Sequence, residues 1–329
     1  MGHSQMNTNN LRDLTNFLAL TFACCLSSLA QSYPNKPIHL IVPFPSAGPT
    51  DIVGRIIGEA LGQRLNQVVI VENKPGAGSS IGTDFVVKST ADGYTLLLGS
   101  SSLAINPIII VNLPYDANRD LAPIGLVARI PGLLAVNPTL NVNTVKDLIA
   151  LAKSKPDKIN YGTSGLGTAD HLIGVLFTSV AGIRLHDVPY KGSPPMLTDL
   201  IGGQIDLTFN AISTVLPHVR SGRLKAIGVT SSQRSPSAKD IPTIAEQGLP
   251  SFQISSWFGL FAPAQTPTEI LDLINKEINI ICQQALIREK FISVGVDIET
   301  SSREQFSTLV KDDAIRWMKL AKEKNLKFE

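Results

Sequence analysis

The amino-acid sequence predicts an α/β protein of two lobes, in which mostly parallel sheets are flanked by helices. The chain of 329 residues is too long for one ordinary domain and suits two. Short apolar runs alternate with segments whose apolar residues recur at helical spacing, and this alternation begins again near Leu133. Hydrophobic residues make up 43% of the chain and charged residues 17%, which is typical of a well-packed globular protein.

The first lobe begins with strands and helices in alternation. Apolar runs predict strands at Ile38–Phe44, Val68–Glu72 and Thr95–Leu98. Between them, Thr50–Leu65 and Gly78–Ser89 have the residue spacing of helices. Because the strands are almost continuously apolar, we expect them to form a parallel sheet that is covered on both faces.

The rest of the chain repeats this pattern and ends in helices. The predicted elements are the strand Leu133–Val136, the helix Thr144–Lys153, the strand Ile159–Tyr161, the helix Ala169–Val180, the strands Asp206–Phe209, Lys225–Thr230 and Phe252–Phe261, and the helices Thr268–Ala285 and Glu304–Lys324. The crossings between the lobes are expected near 129–132 and 255–257. Residues 31–131 and 256–329 are therefore assigned to the first lobe and residues 132–255 to the second. Two crossing strands allow rigid lobes to close on a ligand.

An apolar run near the N-terminus predicts a signal peptide over residues 1–30. The run follows Arg12, is too short to span a bilayer comfortably, and ends in the small-residue cleavage pattern Ser28-Leu29-Ala30. The alternative is a signal anchor that stays in place. Cleavage after Ala30 leaves Cys282 as the single cysteine, and we expect it to be buried filler rather than a nucleophile.

Charge and motifs exclude several classes of function. The formal net charge is +2 and no dense run of lysine and arginine is present, so no nucleic-acid binding is expected. The patterns Gly76-x-Gly78 and Gly165-x-Gly167 match no dinucleotide or P-loop fingerprint. No histidine pair has metal-ligand spacing, and Ser164 does not lie in a G-x-S-x-G elbow. The chain is therefore predicted to be no enzyme and to hold no cofactor or metal.

Two strand-to-helix turns are the candidate binding elements. The first is Pro43–Asp51 and the second is Tyr161–Thr168, and each places small residues directly before a helix. A helix N-terminus has unpaired N–H groups and a partial positive charge, and small residues let an anion approach them. The two turns are therefore expected to hold a carboxylate without an arginine. The alternative is that they are ordinary tight turns, in which Thr50 and Thr168 only cap helices.

Two further side chains have two interpretations each. His171 lies in the first turn of the helix after the Gly-rich loop, and it either points into the cleft or has a structural role. Trp257 lies at the return crossing, and it either forms an apolar wall for a ligand or packs in the core.

Motifs in a fixed order run through the whole mature chain. They are Tyr33-Pro34-x-Lys36-Pro37-Ile38, Val42-Pro43-Phe44-x-x-Ala47-Gly48-x-x-Asp51, Val71-Glu72-Asn73-Lys74-Pro75-Gly76-Ala77-Gly78, Asp92-Gly93-Tyr94-Thr95-Leu96, Leu113-Pro114-Tyr115-Asp116, Tyr161-Gly162-Thr163-Ser164-Gly165-x-Gly167-Thr168, Val188-Pro189-Tyr190-Lys191-Gly192, Asp199-Leu200-x-Gly202-Gly203, Pro242-Thr243-x-x-Glu246-x-Gly248 and Trp257-x-Gly259. In these motifs the sequence resembles the solute receptors of tripartite tricarboxylate transporters, also called the Bug family.

The resemblance implies a fold, a function and a location. The fold is the two-lobed type II periplasmic binding protein, or Venus flytrap. The implied ligand is a small organic carboxylate, either a di- or tricarboxylate or an aromatic acid. A monomeric receptor in the periplasm would deliver it to the permease subunits of a tripartite tricarboxylate transporter. The alternative is a sensor component that presents the same ligand to a signalling receptor.

The resemblance also assigns ligand-binding residues. They are Phe44, Ser46, Ala47, Gly48 and Asp51 in the first loop, Ser100 and Ser101 after the third strand, Ser164, Gly165, Gly167, Thr168 and His171 in and after the second loop, and Asn210 after the strand Asp206–Phe209. Asp51 is expected to order its loop rather than to contact the ligand. Asn210 stands where relatives often have aspartate, so the pocket is expected to lack a partner for an ammonium group. This disfavours an amino-acid ligand.

Overall fold

The computed structural model describes residues 33–323 of the chain. The predicted signal peptide at residues 1–30 and its cleavage site at Ala30 lie outside the described residues. Within residues 33–323, no helix is both long and apolar enough to cross a membrane. These residues form two β-sheets that are flanked by helices.

The strands are short, and the central ones are almost entirely buried. In chain order they are β1 (Ile38–Val42), β2 (Val69–Asn73), β3 (Thr95–Ser100), β4 (Leu121–Pro131), β5 (Leu133–Val136), β6 (Asn160–Thr163), β7 (His186–Pro189), β8 (Leu207–Thr208), β9 (Lys225–Val229), β10 (Ser255–Pro263) and β11 (Asp297–Ile298). In β1, every residue except His39 is buried. This is the pattern of a strand that is covered on both faces of its sheet.

The helices pack by apolar stripes. In chain order they are α1 (Pro49–Leu65), α2 (Ser80–Val87), α3 (Ser102–Ile109), α4 (Ala117–Asp120), α5 (Val145–Ser154), α6 (Ala169–Ala181), α7 (Ser193–Gly202), α8 (Ile212–Arg220), α9 (Thr268–Gln283), α10 (Ala285–Ser293) and α11 (Arg303–Glu323). In α9 the buried side chains Leu271, Ile274, Ile278 and Ile281 recur every three or four residues. That spacing places them on one face, which packs against the core.

Each sheet combines parallel strands with a reversed strand in its interior. The first sheet has the order β11-β4-β10-β3-β1-β2, and β1 is parallel to both β2 and β3. The second has the order β7-β6-β8-β5-β9, and β6 is parallel to both β7 and β8. The prediction of α/β sheets flanked by helices is confirmed. The sequence did not indicate that β10 and β5 would run antiparallel to both of their neighbours.

The reversed strands follow from the path of the chain. β5 continues directly from β4 and enters the second sheet from the side that faces the first. β10 enters the first sheet in the same way from the second. A strand that enters a sheet from the side facing the other sheet must run away from that side. Strands such as β1 and β6 instead run toward that side. The antiparallel pairing is therefore a consequence of the two crossings.

Several elements were not predicted from the sequence. The longest is β4, whose eleven residues include Pro123, Gly125 and Pro131. Proline and glycine normally weaken a strand, so the pattern did not indicate one. The strand persists because β10 pairs along its whole length, with shifts in register that accommodate the irregular positions. The elements α3, α10 and β7 were not predicted either, because their sequences lack clear periodicity.

The two crossing segments are joined by Thr230. The N–H of Gly132, which lies between β4 and β5, donates to Thr230 Oγ1 at 2.8 Å, and the N–H of Thr230 donates to the Gly132 carbonyl at 3.0 Å. The carbonyl of Thr230 accepts from the N–H of Ile254 at 2.8 Å, directly before β10. Thr230 is completely buried. The chain changes from one sheet to the other at these residues. This change supports the lobe limits from the sequence, which stay a prediction.

Trp257 and Cys282 both lie in the core. The indole N–H of Trp257 donates to the Asp313 carboxylate at 3.0 Å, and its ring packs edge-on against Phe306 at a centroid distance of 5.5 Å. Core packing is therefore the role that the structure gives Trp257. Cys282 is 1% exposed, and burial raises the pKa of its thiol to about 12. The prediction that Cys282 is buried filler is confirmed.

Replacing Thr230 by valine is expected to destabilise the protein. Valine keeps the shape of the side chain but leaves the buried N–H of Gly132 without its acceptor. The expected loss is about 1–3 kcal/mol in the free energy of unfolding, measured by urea denaturation. Thr230→Ser keeps the hydroxyl and is the control, with an expected loss of about 0.8 kcal/mol for one methyl group. A valine variant as stable as the wild type would contradict the role of this hydrogen bond.

Candidate functional site

A cavity of about 600 Å³ lies between the two sheets. The carboxyl ends of β1 and β3 in the first lobe, and of β6 and β8 in the second, lead into residues that line it. Ligands of open α/β sheets bind at this end of the strands, where loops lead into helices. The cavity is therefore the candidate functional site.

The structure brings seven of the predicted site residues to the cavity. They are Phe44, Ser100, Ser101, Ser164, Gly167, Thr168 and Asn210. The other six do not line it: Ser46, Ala47, Gly48, Asp51, Gly165 and His171. Ligand contact by any of the thirteen residues stays a prediction. The geometry of the loops explains why six of them do not line the cavity.

The first loop is held together by Asp51. This side chain is 2% exposed and accepts hydrogen bonds from the Ala47 N–H at 2.8 Å, Arg55 Nε at 2.9 Å and Asn73 Nδ2 at 2.9 Å. Burial acts to raise the pKa of Asp51, but the hydrogen bonds from Arg55, Ala47 and Asn73 outweigh it and hold that pKa below its usual range. Asp51 orders the loop, in the manner that the sequence interpretation expected.

The Ala47 amide is consequently not available to an anion. Ala47 has a φ of 63°, in the left-handed region that a non-glycine residue seldom adopts, and its N–H points back to Asp51. The donors that remain belong to the first turn of α1. Pro49 has no N–H, and the first N–H with an acceptor inside the helix is that of Ile52, which donates to the Gly48 carbonyl. The amides of Thr50 and Asp51 are left without an intrahelical acceptor, and Thr50 lines the cavity.

Serine hydroxyls extend this wall of the first lobe. Ser102 Oγ lies 2.9 Å from Ser100 Oγ and 2.8 Å from Ser79 Oγ, so the three hydroxyls form a chain. Ser101 Oγ accepts from the backbone N–H of Trp257 at 2.9 Å, which fixes the carboxyl end of β3. Ser102 was missed in the sequence, although it directly follows the two serines that were singled out.

A strained loop at Gly76–Ser79 adjoins these serines. Its residues all have positive φ angles: 130° at Gly76, 44° at Ala77, 61° at Gly78 and 83° at Ser79. The two non-glycine residues carry a conformational cost that neighbouring contacts must offset. Asn106 supplies them, because its Nδ2 donates to the Gly78 carbonyl at 2.9 Å. Asn106 lines the cavity and was also missed, since no local pattern links it to this loop.

The second loop is held by Asp170, which the sequence interpretation did not select as a site residue. Asp170 Oδ2 accepts from the Ser164 N–H at 2.6 Å and from Asn210 Nδ2 at 3.1 Å. Asp170 Oδ1 accepts from the Ser164 hydroxyl at 2.7 Å. The side chain is 6% exposed and lines the cavity. Asp170 therefore corresponds in position to Asp51 but faces the site.

His171 supports the second loop from inside the lobe. Its ring is buried, and its Nδ1 accepts from the Gly167 N–H at 3.2 Å. Gly167 has a φ of 74°, which directs this amide toward the histidine. Desolvation by burial lowers the pKa of His171, although the nearby Asp187 and Asp170 oppose the effect. Of the two interpretations of His171, the structural role is the one that its position supports.

The cavity holds few charges and many hydroxyl and apolar groups. Among residues 33–323, no lysine or arginine lines it, and Asp170 is the single charged residue that does. The apolar part of the wall includes Ile105, Ile109, Leu166 and Phe258. No group of three or more potential metal-ligating side chains occurs within the described residues. An anion in this cavity would therefore be bound by backbone amides and hydroxyls.

Comparison with known families gives one match over most of the chain. The family described as "Tripartite tricarboxylate transporter family receptor" matches residues 53–326. The chain is also 36% identical over 326 residues to Protein BugT of Bordetella pertussis, in an alignment that covers 98% of this chain and 100% of BugT.

Solved structures give matching folds. The structure of Rpa4515 from R. palustris with adipate is 34% identical, covers 88% of this chain and 97% of its own, and has a TM-score of 0.75. MatC (Rpa3494) from Rhodopseudomonas palustris, with bound malate, is 28% identical, covers 88% of this chain and 99% of its own, and has a TM-score of 0.72.

The stability of the second loop is expected to fall in acid because of His171. Its folded pKa is lowered, so the stabilisation is present above the unfolded value of about 6.5 and is lost as the pH falls toward the folded pKa. His171→Asn keeps an acceptor for Gly167 and does not titrate. Between pH 7 and pH 5, the melting temperature should fall more in the wild type than in this variant. The exposed His186→Gln is the control and should follow the wild type. Equal slopes in all three would contradict the role of His171.

Proposed function

Because the chain belongs to the tripartite tricarboxylate transporter receptor family, we propose that it captures a small organic carboxylate between its two lobes. The family consists of solute-binding receptors, so the predictions of a two-lobed binding protein and of no enzymatic activity are confirmed. The ligand, the partner and the location of this chain belong to the proposal.

The first turn of α1 carries the proposal. The amides of Thr50 and Asp51 have no acceptor within the helix, and the positive end of the helix dipole adds to their pull on an anion. Arg55 Nε lies 2.9 Å from Asp51 Oδ2 and compensates the charge of this carboxylate. The carboxylate of Asp51 therefore does not cancel the positive field at the N-terminus of α1. The hydroxyls of Ser100 and Ser102 lie in the same wall. A carboxylate of the ligand would bind here through amides and hydroxyls.

Relatives with bound acids support a carboxylate ligand. The related structures contain adipate in one case and malate in the other, and both are small organic dicarboxylates. The apolar surface around Ile105 and Phe258 would pack against the carbon skeleton of such an acid. The proposal includes di- and tricarboxylates and aromatic acids.

Transport follows from a change in the angle between the lobes. A ligand that bridges α1 and the second loop stabilises the closed form relative to the open one. The closed monomer would then dock on the permease of a tripartite transporter in the periplasm, after export by the signal peptide predicted at residues 1–30. The crossing segments joined by Thr230 would bend during this movement.

A thermal-shift screen of the chain from Gln31 tests the function. An acid at one hundred times its dissociation constant should stabilise the fold by about 2.7 kcal/mol and raise the melting temperature by a few degrees. The corresponding neutral amides, such as adipamide for adipate, are the controls and should give no shift. A screen of mono-, di- and tricarboxylates and aromatic acids without any shift, in protein free of carried-over ligand, would refute the proposal.

Removing the hydroxyl of Thr50 should weaken binding of the acid that the screen identifies. Thr50→Val keeps the shape of the side chain but loses one hydrogen bond to a charged group, so the dissociation constant should rise about 10–100-fold. Isothermal titration calorimetry measures this change. Thr198→Val on the exposed face of α7 is the control and should bind as the wild type does. An unchanged constant in Thr50→Val would exclude the hydroxyl of Thr50 as a contact of the carboxylate.

A further inference from the structure

The hydrogen-bond donors of the second loop are almost all used within the loop itself. The N–H and the hydroxyl of Ser164 both donate to Asp170. The N–H of Gly167 donates to His171, and the N–H of Gly165 donates to Thr163 Oγ1 at 3.3 Å. The sequence predicted that this loop is an anion-binding turn. Its amides instead donate to neighbouring residues of the same lobe and not into the cavity.

The side chains beside this loop are also committed as donors. Thr168 Oγ1 donates to the Gly165 carbonyl at 2.6 Å. Asn210 Nδ2 donates to Asp170 Oδ2 at 3.1 Å and to Ser193 Oγ at 3.0 Å, so both of its hydrogens are used. What Ser164 and Thr168 present to the cavity is therefore oxygen lone pairs. The donors that remain on this wall include the N–H groups of Leu166, Ala169 and Asp170 and the hydroxyls of Ser193 and Thr214.

Asp170 gives this wall an acidic character. Its partners Ser164 and Asn210 are neutral, whereas Asp51 in the first lobe is paired with Arg55. Asp170 Oδ1 accepts one hydrogen bond from the described residues and has room for a second. Asp170 also lies in the first turn of α6, where its charge offsets the positive end of that helix. A second anion would be repelled here, and a donor would be attracted.

We propose that the second-lobe wall selects an acid with one carboxylate and a remote hydrogen-bond donor, a hydroxyl or amino group, which Asp170 accepts. This inference rests on the proposed function, because it places the single carboxylate at the first turn of α1. The ligand then has a direction in the cleft, with its carboxylate toward Thr50 and its donor toward Asp170. Both residues line the same cavity from opposite lobes.

The body of this ligand is apolar. Ile105 and Ile109 on α3 face the cavity from the first lobe, and Ile173 on α6 faces it from the second. Leu166, at the tip of the second loop, lines the cavity although it is 58% exposed. These side chains would cover a hydrocarbon chain or an aromatic ring between the two polar ends. The ligand class is therefore an ω-hydroxy or ω-amino aliphatic acid, or a hydroxylated or aminated aromatic acid.

The position of Asp170 corrects one expectation from the sequence. Asparagine at position 210 suggested that the pocket has no partner for an ammonium group. In the structure the Asn210 amide lies 3.1 Å from the Asp170 carboxylate, which supplies the missing negative charge from the neighbouring helix. The acidic group has a different position in the chain but reaches the same part of the cavity.

Matched acids of equal length test the proposal on the wild-type chain from Gln31. The aliphatic series is adipate, 6-hydroxyhexanoate, 6-aminohexanoate and hexanoate, and the aromatic series is terephthalate, 4-hydroxybenzoate, 4-aminobenzoate and benzoate. By calorimetry, in the series that binds, a donor-bearing acid should bind about tenfold or more tightly than the matched dicarboxylate, since a charge-assisted hydrogen bond replaces a repulsion. A dicarboxylate that binds as tightly as both donor-bearing acids would overturn the proposal.

Asp170→Asn identifies the residue responsible. This variant should lose the preference for the donor and bind the dicarboxylate more tightly than the wild type does. Asp157→Asn is the matched control, because it removes the same charge from an exposed position in the same lobe and should keep the preference. A preference that persists in Asp170→Asn would overturn the role of Asp170, and the wild-type comparison decides the ligand class even if this variant does not fold. If no acid binds, the proposed function is overturned as well. If the acids bind without preference for a donor, only the inference about Asp170 is overturned.

Discussion

A buried aspartate in the first turn of a helix holds each of the two loops that face the cavity. Asp51 gathers an amide from its own loop and side chains from α1 and β2, and Asp170 gathers an amide, a hydroxyl and the amide group of Asn210. A buried carboxylate is tolerated only when such donors surround it. In both loops, backbone amides therefore donate to the aspartate that orders the loop and are not available to a ligand. What a ligand meets is decided by the donors and acceptors that remain after this requirement is met.

The same requirement makes the two lobes unequal. Arg55 neutralises Asp51, so α1 presents free amides with a positive field, whereas Asp170 has neutral partners and presents a carboxylate. The folds of the lobes resemble one another, because each loop leads from a parallel strand into a helix. Their chemistry differs through the single basic side chain that accompanies one aspartate and not the other. Similar architecture thus gives the cavity a polarity that neither loop has alone.

Local periodicity was sufficient for the first lobe, where β1, β2, β3 and α1 lie within a few residues of their predicted limits. Properties that depend on distant partners could not be predicted. The strand β4 needs β10, which lies more than a hundred residues further along the chain, to offset Pro123 and Gly125. The cavity residues show the same division. The loops were located correctly, but the φ angle of Ala47 and its bond to Asp51 turn the loop tip away from the cavity. Asn106 and Asp170 act through residues that no short motif connects to them.

The buried position of Cys282 makes this protein convenient to convert into an optical sensor. Its thiol is buried, and burial raises its pKa to about 12, so we expect that a maleimide dye at neutral pH would not label it. Cys24 and Cys25 fall within the predicted signal peptide and are absent from a chain that starts at Gln31. A cysteine introduced on the rim of the cleft would then be the single reactive site. Fluorescence from a dye at that position would report closure of the lobes without removal of any native residue.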